Sequence, residues 1–243
     1  MASQVGLIGY GRFGKLAARF IARRANVLVY DARKRYGRFP SHRIKAASLA
    51  EVAAQSIVIL AVPISSLQRT LSSLTPSLQP KALIVDACSV KVKPVQWMKQ
   101  MLPKHVNILG AHSLFGPDSV SRSLRGRTVV LCPVHIPHKL LADVKHVLRK
   151  RGLHVLQMTP DEHDRMMAET LLLAQYIGRL VGAAGLKRWD HSTVHYERLM
   201  SLVDAAQRDS VQLFKDMWRY NPHASYLKHA LARATSLLRR ELK

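Results

Sequence analysis

The chain has 243 residues, 48% apolar and 6% aromatic, a globular composition that excludes disordered and collagen-like classes. Thirty-eight Lys and Arg against fifteen Asp and Glu give a formal charge of +23, a balance that invites a nucleic-acid reading. No basic run is interleaved with aromatics, as stacking on single strands would require. The charge is therefore read as a basic surface suited to anionic small molecules, and a nucleic-acid partner is not expected.

The length suits one ordinary domain plus a smaller second one. No stretch of 18 apolar residues occurs, and the most apolar long segment, 171–186, is broken by Gln175 and Arg179, so no membrane span is expected. The first strand is placed from Val5, which leaves no room for a signal or transit peptide and suggests a cytoplasmic location. Cys88 and Cys132 each fall near a strand end and read as reduced, buried thiols rather than a disulfide.

In chain order, Val5-Gly6-Leu7-Ile8 is continuously apolar, as a strand buried on both faces must be. A helical pattern follows to about Arg24, and Val27-Leu28-Val29-Tyr30 makes a second strand. Further strands are read at 57–62, 82–85, 106–109, 128–131 and 153–156, with helical patterns between most of them. Strand–helix alternation predicts an α/β fold, a doubly wound and mostly parallel sheet covered on both faces. After Thr159-Pro160 the pattern changes. Met166, Met167, Thr170, Leu171, Leu173 and Ala174 recur at helical spacing, as do Leu199, Leu202, Val203, Leu213 and Phe214, and Asn221-Pro222 separates a final helix. The domains are thus drawn at 1–158 and 159–243, the second all-helical and too small to bury its apolar faces alone, so a homodimer is expected.

Gly9-Tyr10-Gly11-Arg12-Phe13-Gly14 follows the first strand and opens a helix. In that setting Gly9 permits a tight turn, Gly11 lets a pyrophosphate approach the backbone, and Gly14 lets helix and strand pack closely. The helix N-terminus then faces the phosphates of a dinucleotide. Asp31 ends the second strand, where a carboxylate accepts both ribose hydroxyls of NAD. Arg33, Lys34 and Arg35 follow at once and can hold the extra phosphate of NADP, so NAD is preferred with NADP as the alternative. Ala61-Val62-Pro63 ends the third strand read from the sequence, on the cofactor edge of such a sheet, and no metal is expected.

Two more clusters close strands on that edge: Asp86-Ala87-Cys88-Ser89-Val90-Lys91, and Ala111-His112-Ser113-Leu114-Phe115-Gly116-Pro117-Asp118. A histidine at such an edge can take a proton from a hydroxyl while its carbon gives up hydride. These motifs, with Thr159-Pro160, His163-Asp164, Tyr196-Glu197, Asp209-Ser210, Leu213-Phe214 and Tyr220-Asn221-Pro222, resemble the prephenate and arogenate dehydrogenases of tyrosine biosynthesis, in the tail the plant-type arogenate enzymes. The resemblance implies a Rossmann domain followed by an all-helical dimerisation domain. It implies oxidative decarboxylation, His112 acting as base on the C4 hydroxyl and Ser89 supporting the histidine and the nicotinamide.

The sequence also departs from the family pattern. His112-Ser113 stands where His-Pro is usual, and Leu171 and Gln175 stand where relatives often carry a glutamine and a substrate-facing histidine. Gln175 can hydrogen-bond but carries no charge, and Thr193 matches a polar site residue of the plant-type enzymes. Many prephenate-specific relatives have an arginine five residues before the Asp-Ser pair, where this chain has Asp204. That reversal of charge predicts a preference for the ammonium of arogenate over prephenate, with Gln175, Thr193 and Asp204 facing substrate. The plain alternative for Asp204 is a pair with Arg208 one helical turn on. Two other readings compete: a β-hydroxyacid-type dehydrogenase, for which Lys187 is the only candidate catalytic lysine, and a basic Rossmann protein with a regulatory or nucleic-acid-binding role.

Overall fold

The computed structural model describes residues 4–34, 36–120 and 122–243; Arg35, proposed above as a phosphate ligand, lies outside them. The chain divides into two compact units, 1–160 and 161–243.

In the first unit the strands are β1 (Gln4–Ile8), β2 (Asn26–Tyr30), β3 (Ile44–Ala46), β4 (Ile57–Leu60), β5 (Leu83–Asp86), β6 (Asn107–Ser113), β7 (Thr128–His135) and β8 (His154–Gln157). They form one sheet in the order β3-β2-β1-β4-β5-β6-β7-β8. Every pairing is parallel except β6 with β7. The sequence reading missed β3, which is only three residues long with one buried side chain, Ile44. It also stopped the strand now numbered β6 at Leu109, whereas that strand runs on to Ser113 and so includes His112.

Helices α1 (Arg12–Ile21), α2 (Leu49–Ala53), α3 (Ile64–Leu74), α4 (Val92–Met101) and α5 (His138–Lys150) connect the strands. They bury the central strands completely: Leu7, Val27, Val29, Val58, Leu60 and Ile84 are closed to solvent. Each such side chain contributes about 1.5–3 kcal/mol relative to exposure. Helix α2 begins with a full capping box, Ser48 and Glu51 bonding each other's backbone amides, and those bonds hold the Glu51 carboxyl below its ordinary pKa. Helix α1 begins at Gly11 with no side-chain cap. Its first amides are thus left for another acceptor.

The second unit is helical: α6 (Pro160–Met167), α7 (Leu173–Ala183), α8 (Val194–Arg208), α9 (Val211–Tyr220) and α10 (Ala224–Glu241). A π-helical turn, Ala168–Leu172, joins α6 to α7 and includes Leu171. Thr193 caps α8 and Ser210 caps α9 through their side chains. Helices α7 and α8 pack so closely at Gly178 that a Cβ there would run into Leu202 and Ala206. Within the unit His163 and Asp164 are wholly buried, joined at 2.8 Å, and Asn221 donates to the Asp164 carbonyl at 2.8 Å. The C-terminal half of α10 is exposed throughout, Leu237 and Leu238 included. No helix among the described residues is long and apolar enough to cross a membrane.

Candidate functional site

The sheet reverses its strand order at β1 and β4, and the crevice outside the strand ends there is where doubly wound sheets bind ligands. Gly9 turns at φ +99, a conformation that favours glycine, and a Cβ on it would strike the Ala61 carbonyl. The Ala61 amide donates to Ile8 O at 2.7 Å, so the Ala61-Val62-Pro63 turn lies against the glycine loop, and Pro63 stands at the N-cap of α3. A Cβ on Gly14 would run into the Gly9 carbonyl, which fixes α1 tightly against the loop. Gly11 differs: a Cβ there would meet nothing. The open space beside Gly11, next to the uncapped first turn of α1, fits a dinucleotide pyrophosphate.

Asp31 follows β2 and accepts two backbone amides, Tyr10 N at 2.7 Å and Arg33 N at 2.9 Å, one on each oxygen. Each oxygen keeps a lone pair for a ribose hydroxyl. The Asp31 amide itself donates to the Tyr36 hydroxyl at 3.1 Å. Tyr10, Tyr36 and Phe39 form an aromatic trio with centroids 5.5–6.2 Å apart, and burial pushes the Tyr10 phenol above its ordinary pKa. Arg33 and Lys34 are exposed beside this trio. Arg12 does not lie open for phosphate: its guanidinium bonds both Asp118 oxygens at 2.7 Å, tying α1 to the loop after β6. Phe13 is half-buried in the first turn of α1.

Beyond β5 the chain is held by a pair the sequence reading did not single out. Lys91 and Asp86 are both wholly buried, and Lys91 Nζ lies 2.6 Å from each Asp86 oxygen. The same ammonium donates to the Ala111 carbonyl at 2.8 Å, one residue before His112. Asp86 also accepts from Cys88 N at 2.9 Å. These bonds fix the 86–91 turn to β6, and the register that pairs Asp86 with Gly110 brings His112 and this turn to one edge of the sheet. His112 is 7% exposed and pairs across to Val130. Ser89 Oγ is buried with no hydrogen-bond partner, an acceptor and donor left for something else. Neither Cys88 nor Cys132 forms a disulfide.

In the second unit Gln175 is buried, donates through Nε2 to Asp209 at 2.8 Å, and keeps its Oε1 buried without a partner. Thr193 is exposed, its hydroxyl accepting from Tyr196 N at 3.3 Å as a helix cap. Asp204 pairs not with Arg208 but with Arg188, at the surface; that guanidinium holds the Asp204 carboxyl below its ordinary pKa, with Arg208 adding a smaller share. Lys187 is exposed and sits over the Trp189 ring. Asp86, Lys91, Asp118 and Asp209 were visible in the sequence only as letters of motifs, and Arg179 only as a break in an apolar run; strand-end position was the one signal for the first three.

Residues 41–157 match the family model described as prephenate dehydrogenase, nucleotide-binding domain, and residues 180–243 match one described as TYRAAT1-like, C-terminal domain. The chain is 27% identical to arogenate dehydrogenase 2, chloroplastic, of Arabidopsis thaliana, over 99% of this chain and 70% of the relative. It is 26% identical to arogenate dehydrogenase 1, chloroplastic, of the same plant, over 98% of this chain but only 39% of that relative. Among solved structures, prephenate dehydrogenase from A. aeolicus in complex with hydroxyphenyl propionate and NAD+ aligns with a TM-score of 0.77 at 20% identity, over 100% of this chain and 91% of that one. Synechocystis arogenate dehydrogenase aligns with a TM-score of 0.70 at 20% identity, over 98% and 93%, and at such identities both speak to the fold. With a glycine loop and Asp31 at the switch point and His112 on the same sheet edge, the chain is an NAD(P)-dependent oxidoreductase that carries the nucleotide-binding domain of the prephenate dehydrogenases over residues 41–157 and is similar to arogenate dehydrogenases through both units.

Proposed function

We propose that the protein is an arogenate dehydrogenase, which converts arogenate to tyrosine and carbon dioxide while hydride passes to NAD. The observation that carries this reading is the shared edge: the glycine loop, Asp31, Ser89 and His112 all stand at strand ends of one rigid sheet. NAD, held by the glycine loop and Asp31, would supply the hydride acceptor for C4 of the ring. His112 accepts a hydrogen bond from the C4 hydroxyl and takes its proton as the hydride leaves. Ser89 Oγ, without a protein partner, supports the imidazole and the bound nicotinamide. Loss of the C1 carboxylate as carbon dioxide makes the ring aromatic, so the protein need only orient the ring and polarise one hydroxyl. Asp31 favours NAD because its charge repels a 2′-phosphate; the exposed Arg33 is what would serve NADP.

Prephenate is the second substrate to test. Arogenate is favoured because the second unit presents a buried acceptor without a partner, Gln175 Oε1, which suits an ammonium better than a keto group. A spectrophotometric assay crossing both substrates with both cofactors decides: the expected result is fastest reduction with arogenate and NAD, and preference for prephenate would overturn the substrate assignment.

We also propose a homodimer built on the second unit. Met166, Leu173, Leu199 and Leu213 are only half-buried, and Leu180, Leu237 and Leu238 are more than half exposed, more apolar surface than such a small layer covers alone. Sedimentation at micromolar concentration should give twice the chain mass, and a stable monomer would contradict this. A reducing, cytoplasmic setting agrees with two buried cysteines that form no disulfide.

A further inference from the structure

Three short stretches of the first unit hold eight cations and no carboxylate: Arg23 and Arg24 just after α1, Arg122, Arg125 and Arg127 before β7, and the Arg-Lys-Arg run at 149–151 that ends α5. All eight side chains are exposed. The fold brings the stretches together. Arg23 Nη2 donates to the Arg122 carbonyl at 2.9 Å, and the same guanidinium lies 4.4 Å from the centre of the Phe20 ring. Gly126 N donates to Gly152 O at 2.8 Å, and His154 N donates to Arg127 O at 2.8 Å, beside the register pair of Thr128 and His154. A Cβ on Gly152 would lie 3.0–3.1 Å from Arg125, so the turn after α5 sits directly on that arginine.

Among the described residues none of these eight cations forms an ion pair. An ordinary surface intersperses both signs, whereas backbone contacts here tie like charges to one another, and a polyanion relieves the repulsion. The patch stands apart from the dinucleotide site. Arg23 lies past the far end of α1, a helix of ten residues or about 15 Å that begins at the glycine loop. Strand β7 lies three strands from β4, about 14 Å across the sheet. Seven of the eight cations are arginines, whose planar fork takes phosphate oxygens in pairs. None of the exposed large apolar side chains falls within the three stretches, so they offer nothing to insert into lipid. Phe20 is half-buried under Arg23 and gives the bases of a single strand no open ring to stack on. The lack of interleaved aromatics thus argues against single strands but not against a duplex backbone, which needs only cations.

We propose that this face of the first unit binds the phosphate backbone of duplex DNA without reading its sequence. Base edges are read by an element that enters a groove, whereas these cations stand on a helix end, a loop and a turn, from which they reach phosphates. Duplex RNA adds 2′-hydroxyls, which are met by acceptors as well as donors, and guanidinium and ammonium groups only donate. Neither substrate nor dinucleotide takes part, so the proposal stands or falls apart from the dehydrogenase reading.

The test is fluorescence anisotropy of the full chain with labelled DNA duplexes of two unrelated sequences, titrated from about 50 to 200 mM salt. Engagement of about four phosphates lowers the association constant about a hundredfold over that range, alike for both sequences. The triple variant Arg125→Gln, Arg149→Gln, Arg151→Gln makes the log–log salt slope shallower by about 2–3. A control triple, Arg239→Gln, Arg240→Gln, Lys243→Gln, takes the same charge from the exposed end of α10 and leaves the slope as it was. Should the patch variant fail to fold, Arg151→Glu alone still weakens DNA binding more than Arg240→Glu does. Equal effects of patch and control variants would assign the binding to the net charge of the whole chain and overturn the proposal. No binding to either duplex at the lowest salt, or tighter binding to duplex RNA or to phosphatidylserine vesicles than to DNA, would also overturn it.

Discussion

The candidate sites of the two units are built by different means. In the first, the site is made of backbone: a turn only glycine can make at Gly9, a helix end left open at Gly11, and strand ends held level by the sheet. Its buried charges are matched, Lys91 between Asp86 and the Ala111 carbonyl. Such a buried pair does not add much net stability, but it holds one arrangement. In the second unit the candidate groups are side chains at a helix corner, where Gln175 Oε1 and Arg179 Nε are buried without partners. Each unit leaves buried atoms for a ligand, the Ser89 hydroxyl in the first, and in the second an acceptor, Gln175 Oε1, and a donor, Arg179 Nε.

The largest expected effect falls in the first unit. His112→Ala should lower turnover by about a hundredfold or more, the scale of a positioned base. Dinucleotide affinity should stay near the wild-type value, because the imidazole acts on the substrate hydroxyl. Stopped-flow turnover with a parallel cofactor titration separates the two, and full activity would remove His112 from the chemistry.

The next effect divides two glycines of one loop. Gly11→Ala adds a methyl group where the free protein has only open space, so melting temperature should hold while dinucleotide affinity falls by about tenfold, or about 1.4 kcal/mol. Gly14→Ala should do the reverse first: its Cβ meets the Gly9 carbonyl, and overpacking of that kind costs about 1–3 kcal/mol of stability. If both variants behaved alike, the space beside Gly11 would not be the phosphate site.

These contrasts explain what the sequence shows by itself. The sheet, the glycine loop, Asp31 and the helical tail are legible because each follows from a local rule: apolar runs, a turn that needs glycine, an acid at a strand end, a 3.6-residue period. Strand β3 is not legible, since three residues carry almost no pattern. The extent of β6 is hidden because pairing with antiparallel β7, a long-range partner, extends it through His112. Arg12 bonding Asp118, Asp204 bonding Arg188, and Arg179 meeting the 209–210 corner join residues far apart in the chain, and no periodicity announces them.

The smallest effect belongs to that surface pair in the second unit. The Asp204 carboxyl is held below its ordinary pKa by the Arg188 hydrogen bond, so whatever the pair adds is present above the ordinary aspartate range and is lost as pH falls through the lowered value. Asp204→Asn should therefore scarcely alter melting at neutral pH and should flatten its dependence at acid pH. Because the carboxylate is already engaged by Arg188, the arogenate-to-prephenate ratio should shift little in this variant; a tenfold fall would instead assign Asp204 to the substrate ammonium.

The central claim is tested most directly by mixing the purified chain with arogenate and NAD and following reduced nicotinamide at the same time as released carbon dioxide. The account predicts one carbon dioxide and one tyrosine for each nicotinamide reduced. Absence of nicotinamide reduction with arogenate and with prephenate, under either cofactor, would contradict it.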